Sequence, residues 1–109
     1  MSVTLHLHDE FKRQFRRLRK KYRSLTDDLE DLQQELKKNP NQGDDLGGGV
    51  RKIRMAIASK GKGKSGGARV LTLNVLINSD TDITLLTIYD KNEIENVSDE
   101  YIRWLVENL

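Results

Sequence analysis

At 109 residues the chain is one domain's worth, a size at which roughly two thirds of the unfolded surface becomes buried and one modest core is expected. Hydrophobic residues at 36%, charged residues at 33% and a single proline make it polar for a globular domain, yet too rich in Leu, Ile and Val for disorder. The absence of cysteine excludes a disulfide scaffold, thiolate-held zinc or iron–sulfur clusters and a cysteine nucleophile. No apolar run approaches the ~18 residues of a membrane span, and the opening MSVTLHLHDEFKRQF has no signal-peptide core, so no membrane association and a cytoplasmic location are expected.

The net charge of +2 hides a segregated pattern. Eight Lys and Arg lie between Lys12 and Arg23 with no acid among them, and seven more between Arg51 and Arg69, again without an acid. Acids collect at Asp27 to Asp45 and Asp80 to Glu107, so the field is patchy and a polyanionic partner is expected.

In chain order, Val3, Leu5 and Leu7 alternate with polar residues, the period of a half-buried strand. Asp9 is then expected to cap a helix whose Phe11, Phe15, Leu18 and Tyr22 form one apolar stripe under a basic surface. After a break at Ser24–Leu25, Thr26 is expected to cap a second helix carrying Leu29, Leu32 and Leu36, with acids at its start, lysines at its end and Asn39–Pro40 as its stop. These two helices read as an αα-hairpin. All eight glycines fall between Gly43 and Gly67, and between their two clusters a strand places Ile53, Met55 and Ile57 on one face and Lys52, Arg54 and Ala56 on the other. Residues 68–77 and 83–89 read as two further strands around a turn at Asn78–Asp80. Ser98 is expected to cap a last helix with Ile102, Leu105, Val106 and Leu109 on its apolar side. The whole, residues 1–109, reads as one α+β domain: an N-terminal strand, an αα-hairpin packed on an antiparallel sheet with the helices on one face, and a short C-terminal helix.

Four features carry possible chemistry. Gly61-Lys62-Gly63-Lys64-Ser65 ends like a P-loop, but Ala58 stands where that pattern needs glycine and a strand follows where it needs a helix. A flexible loop whose Lys60, Lys62 and Lys64 neutralise the phosphates of a nucleic acid fits better than a nucleotide site. Second, Lys52, Arg54 and Arg69, with Tyr89, Lys91 and Glu93 at the end of the last strand, are expected to meet at one sheet edge. Guanidinium, ammonium, phenol and carboxylate together can cleave RNA without metal, by activating a 2′-OH, stabilising the phosphorane and protonating the leaving 5′-oxygen; a sheet edge charged only against aggregation is the plainer alternative. Third, His6-x-His8 has metal-ligand spacing on one strand face, but no third ligand is near, so no metal and no cofactor are expected. Fourth, the basic helix, Arg16 and Lys20 included, lacks the i,i+4 acid partners of a merely solvated helix and reads as a docking surface for RNA or an acidic partner.

Arg51-Lys52-Ile53-Arg54-Met55, then Lys60-Gly61-Lys62-Gly63-Lys64-Ser65-Gly66-Gly67-Ala68-Arg69-Val70, then Leu85-Leu86-Thr87-Ile88-Tyr89-Asp90-Lys91-Asn92-Glu93 together resemble the RelE/ParE superfamily of toxins from type II toxin–antitoxin modules, most closely its HigB branch. The resemblance spans nearly the whole chain; its specific parts are the Lys-Gly-Lys-Ser-Gly-Gly-Ala-Arg and Tyr-Asp-Lys-x-Glu blocks. It implies a RelE-like fold and a ribosome-dependent mRNA endoribonuclease that acts on the 70S ribosome and translated mRNA, inhibits translation and is neutralised by a cognate antitoxin from an adjacent gene. The free toxin would be a monomer, joining a hetero-oligomer with its antitoxin.

Carried over position by position, the resemblance makes Arg69 the phosphate-gripping arginine, Glu93 or Tyr89 the base and Lys91 the acid or charge stabiliser. Lys52, Arg54, Lys60, Lys62, Lys64, Arg16 and Lys20 would bind RNA or the ribosome. Asn92 stands where a second cation is common in the family. A different reading on the same fold is a non-nuclease toxin that binds DNA gyrase, or an inactive remnant that only binds antitoxin.

Overall fold

The computed structural model describes residues 2–109. Strand β1 (Val3–Leu7) leads into α1 (Asp9–Lys21), which turns back through α2 (Leu25–Lys38); then follow β2 (Asp44–Gly47), β3 (Val50–Met55), a single 3-10 turn (Ala58–Lys60), β4 (Ala68–Ile77), β5 (Asp80–Asp90) and α3 (Asp99–Glu107). The five strands lie in the order β1-β5-β4-β3-β2.

The sheet is mixed rather than purely antiparallel: β2 to β5 alternate in direction, but β1 runs parallel to β5. Two antiparallel pairings separate β3 from β5, so these share a direction, and β1 shares it too. Strand β2, a short edge strand of mostly glycine and aspartate character, has no periodic signal of its own and exists through pairing with β3.

The helices occupy both faces, not one. Phe11, Leu18, Leu25, Leu32 and Leu36 of the hairpin pack on Ile53, Met55, Val70, Ile83, Leu85 and Ile88. On the opposite face Leu105 of α3 packs on Leu71, Leu73, Leu86 and Tyr89. Alternation breaks at Leu86 and Thr87, where a β-bulge opposes two residues of β5 to Leu71 of β4 and both lie on the α3 side. A bulge changes which face the following residues point to. It turns Tyr89 away from the hairpin, onto the face of Arg69.

Two helix starts differ from expectation. The α1 cap is His8, whose Nδ1 accepts the Glu10 N–H at 3.0 Å, while Asp9 is the first helical residue and complements the positive helix end. The α2 cap is Ser24 rather than Thr26, and Leu25 is already helical; the Ser24 hydroxyl is bonded to Asp28 and to the backbone of Ser59. The stop after Lys38, the full span of β4 and the Ser98 cap of α3 match the sequence.

Candidate RNA-binding face

Register places the candidate residues in rows. Arg54 of β3, Arg69 of β4 and Tyr89 of β5 stand directly opposite one another, and Lys52, Leu71 and Thr87 form the next row. Residues opposite across antiparallel strands share a face, so Lys52, Arg54, Arg69 and Tyr89 gather on the face that α3 covers at its other end. Arg54 is exposed, Lys52 half-buried, and Arg69 and Tyr89 are 7% and 3% exposed.

Arg69 is oriented by the loop before it. Its Nη1 donates to the carbonyls of Lys64 and Ala68 and its Nη2 to that of Ser65, each at 3.2 Å. A guanidinium has five N–H donors, so two remain for a ligand. Gly67 makes this loop possible: a Cβ there would lie 2.1 Å from the Met55 carbonyl oxygen, and only glycine lets the chain pass. Burial pushes the Tyr89 phenol up, with the Arg69 charge opposing. Tyr89 therefore holds its proton at neutral pH and is suited to give one rather than take one.

The other candidates scatter. Lys62 and Lys64 are exposed on the loop, Lys64 reaching Glu35 of α2 at 4.0 Å. Lys60 turns inward instead: its ammonium lies 2.8 Å from Asp90 and 2.7 Å from the Gly66 carbonyl, with 6% of the side chain exposed. It is thus removed from the set of cations open to a phosphate. The fully buried Asp90 also accepts from the Tyr22 hydroxyl and, at 3.0 Å, from the Asn92 N–H. Burial works to raise the Asp90 carboxyl, but these donors, Lys60 first, outweigh it and hold it below the usual range. Lys91 is exposed beyond β5, while Glu93 is clasped by Arg17 of α1 through two bonds at 3.0 and 3.1 Å. That places the expected base beside the hairpin. Arg16 and Lys20 are both exposed on α1.

His6 and His8 do not share a site. His6 is near Asp82 at 3.6 Å, whereas His8 is buried with its Nε2 against the Leu105 carbonyl at 3.0 Å.

A second polar cluster, without any signal in the sequence, joins α1 to α3. Glu10 accepts from Arg13 at 2.7 and 2.8 Å, from Gln14 at 3.2 Å and from the Tyr101 hydroxyl at 2.7 Å. Chiefly through Arg13, the Glu10 carboxyl is lowered to about 2, and burial together with Glu10 pushes Tyr101 up to about 12. These groups rim a cleft of about 380 Å³ whose lining includes Thr87, Ile88 and Tyr89. A carboxyl depressed by folding contributes stability above its unfolded value of 4.5 that is lost as pH falls toward 2. Melting temperature measured against pH should therefore fall through this window, and Glu10→Gln should be less stable at neutral pH with a flatter acid limb. An unchanged limb would remove Glu10 as its source.

The comparisons with known proteins agree with this architecture. Residues 10–107 match the family model described as RelE toxin of the RelE/RelB toxin–antitoxin system. The chain belongs to the RelE toxin family. Among solved structures it is similar to a mutant of the Escherichia coli toxin RelE in the free state, at 14% identity and a TM-score of 0.62, over 100% of this chain and 99% of that one. At that identity the likeness concerns the fold. Family membership makes the chain a toxin of the toxin–antitoxin type with an antitoxin as partner. None of its described helices is long and apolar enough to cross a membrane.

Proposed function

We propose that the chain is a ribosome-dependent mRNA endoribonuclease of the HigB branch, working without metal. The observation that carries the reading is the Arg54–Arg69–Tyr89 row with Lys52 beside it. In this reading Arg69 grips the scissile phosphate with its two remaining donors, and Arg54 and Lys52 stabilise the charge that grows as the 2′-oxygen attacks phosphorus. The 2′-hydroxyl gives its proton to solvent water as its oxygen bonds to phosphorus and the bond from phosphorus to the 5′-oxygen breaks, and Tyr89 delivers its own proton to that departing 5′-oxygen. Lys91 adds positive charge at the end of β5. The products are a 2′,3′-cyclic phosphate and a 5′-hydroxyl. Lys62 and Lys64 contact neighbouring phosphates, and Arg16 and Lys20 face the ribosome.

The same reading assigns the antitoxin a groove that shares Arg16 with the ribosome-facing side, so that the two partners compete for it. This groove runs between α1, α2 and β1, with Leu7, Phe15 and Leu29 in its lining and Lys12, Arg16 and Arg19 along it. Apolar lining beside cations suits the apolar face of an acidic amphipathic helix.

With Lys60 withdrawn, Lys52, Lys62, Lys64, Arg54 and Arg69 form the phosphate-contacting set. At roughly −0.7 per contact on single-stranded RNA, log affinity against log salt should have a slope of about −3.5. Fluorescence anisotropy with a short oligoribonucleotide measures it, and a slope near zero would remove the electrostatic account.

A further inference from the structure

Continuous with the catalytic row, and sharing its Lys52 and Tyr89, lies a cleft of about 200 Å³ whose other lining residues the proposed chemistry leaves unused. It opens between β2–β3 and the start of α3, with Leu46 and Ile102 as apolar lining and Lys52, Tyr89, Asn96 and Asp99 as polar groups. The side chains of Lys52, Asn96 and Asp99 make no hydrogen bond or ion pair with another side chain among the described residues, and Asn96 and Asp99 are exposed. The cleft thus offers an ammonium, an amide and a carboxylate, each with its bonding capacity open, around an apolar interior.

A carboxylate repels phosphate, so Asp99 has no use against an RNA backbone. As the first residue of α3 it complements the positive helix end, while its exposed oxygens stay open to a donor, and on a single-stranded RNA the donors on offer are base edges and 2′-hydroxyls. The apolar lining suits the face of a base rather than a sugar. Carboxylates in nucleic-acid sites accept from exocyclic amino groups. Adenine, cytosine and guanine each carry one, whereas uracil presents a ring N–H flanked by two carbonyl oxygens that a carboxylate repels.

We infer that this cleft is a nucleobase subsite for an amino-bearing base, with Asp99 accepting from the exocyclic amino group and Lys52 holding the phosphate of the same nucleotide. The inference rests on the RNA-cleaving reading and deepens it: Asp99 and Asn96 select the base, while Lys52 and Arg69 hold the backbone. Discrimination comes from rejection as much as attraction, since uracil leaves Asp99 without its donor.

Titration of the isotope-labelled full chain with the 5′-monophosphates of adenosine, cytidine, guanosine and uridine, followed by NMR, tests it. The three amino-bearing nucleotides should shift the amides of Lys52 and of Asn96 to Asp99, and bind about tenfold more tightly than the uridine nucleotide. Asp99→Asn and Asp99→Ala should bring all four affinities together while the chain stays folded, because Asp99 is exposed and its place in the first turn of α3 adds only a small, salt-screened stabilisation. Equal affinities in the unmodified chain, or discrimination that survives both substitutions, would overturn the subsite and leave the phosphate-binding row standing. Absence of binding by all four nucleotides and by a short oligoribonucleotide would overturn the RNA reading and the subsite with it.

Discussion

Arg69→Ala is expected to lose about 10²-fold or more in single-turnover cleavage of ribosome-bound mRNA. A preorganised donor aimed at growing negative charge has an effect of that order. The loop carbonyls of Lys64, Ser65 and Ala68 fix the guanidinium before any ligand arrives, so little reorganisation is left for the reaction. Arg69→Lys keeps the charge but loses the planar fork, and should recover only a small part of the rate. Lys62→Ala, at an exposed loop position, should weaken affinity severalfold and leave the rate at saturation nearly unchanged, which separates binding from chemistry. Wild-type cleavage at saturation by Arg69→Ala would end its assignment to the scissile phosphate.

Asp90→Ala should be the most destabilising single change at the site. It leaves the Lys60 ammonium, 6% exposed, without its carboxylate, and stranding one member of a buried pair costs about 3–5 kcal/mol. Lys60→Met should cost less, because Asp90 keeps the Tyr22 hydroxyl, the Asn92 N–H and Lys21 at 3.9 Å. Denaturant unfolding of both variants and their combination gives the coupling directly. If the double substitution costs the sum of the two single ones, the pair is not a unit. The same cluster shapes the loop: Lys60 also holds the Gly66 carbonyl at 2.7 Å, and the neighbouring Ser65 carbonyl is one of those that orient Arg69. Loss of Asp90 should for that reason lower cleavage even where enough chain remains folded.

What the sequence made legible followed local chemistry. The hydrophobic rhythm of the hairpin, the Asn39–Pro40 stop, the Ser98 cap and the span of residues 68–77 depend on neighbours a few residues away, and these match. The row of Arg54, Arg69 and Tyr89 followed from pairing consecutive strands, although the bulge at Leu86 that turns Tyr89 toward Arg69 had only two adjacent leucines as its trace. The misses depend on distant partners. Lys60 reads like Lys62 and Lys64 in sequence; a carboxylate thirty residues away decides that it is buried. Glu10 and Tyr101 meet across 91 residues, which no periodicity can anticipate. The side of the sheet taken by α3 turned on the apolar surface that Leu71, Leu73 and Leu86 leave facing away from the hairpin. His8 continues the alternation of His6 and so reads as a strand residue, whereas its Nδ1 caps α1 as an oxygen would.

The central claim, that this RelE-family chain cuts translated mRNA through the Arg69 face, is tested most directly by adding the purified chain to a translating extract, mapping mRNA 5′ ends and running a gyrase supercoiling assay in parallel. The account predicts new 5′ ends within translated regions, none on the same mRNA when initiation is blocked, loss of those ends with Arg69→Ala, and unimpaired supercoiling. Intact mRNA with inhibited supercoiling would contradict it and assign the fold to gyrase binding. Intact mRNA with unimpaired supercoiling would contradict it as well, and leave a chain that only binds antitoxin.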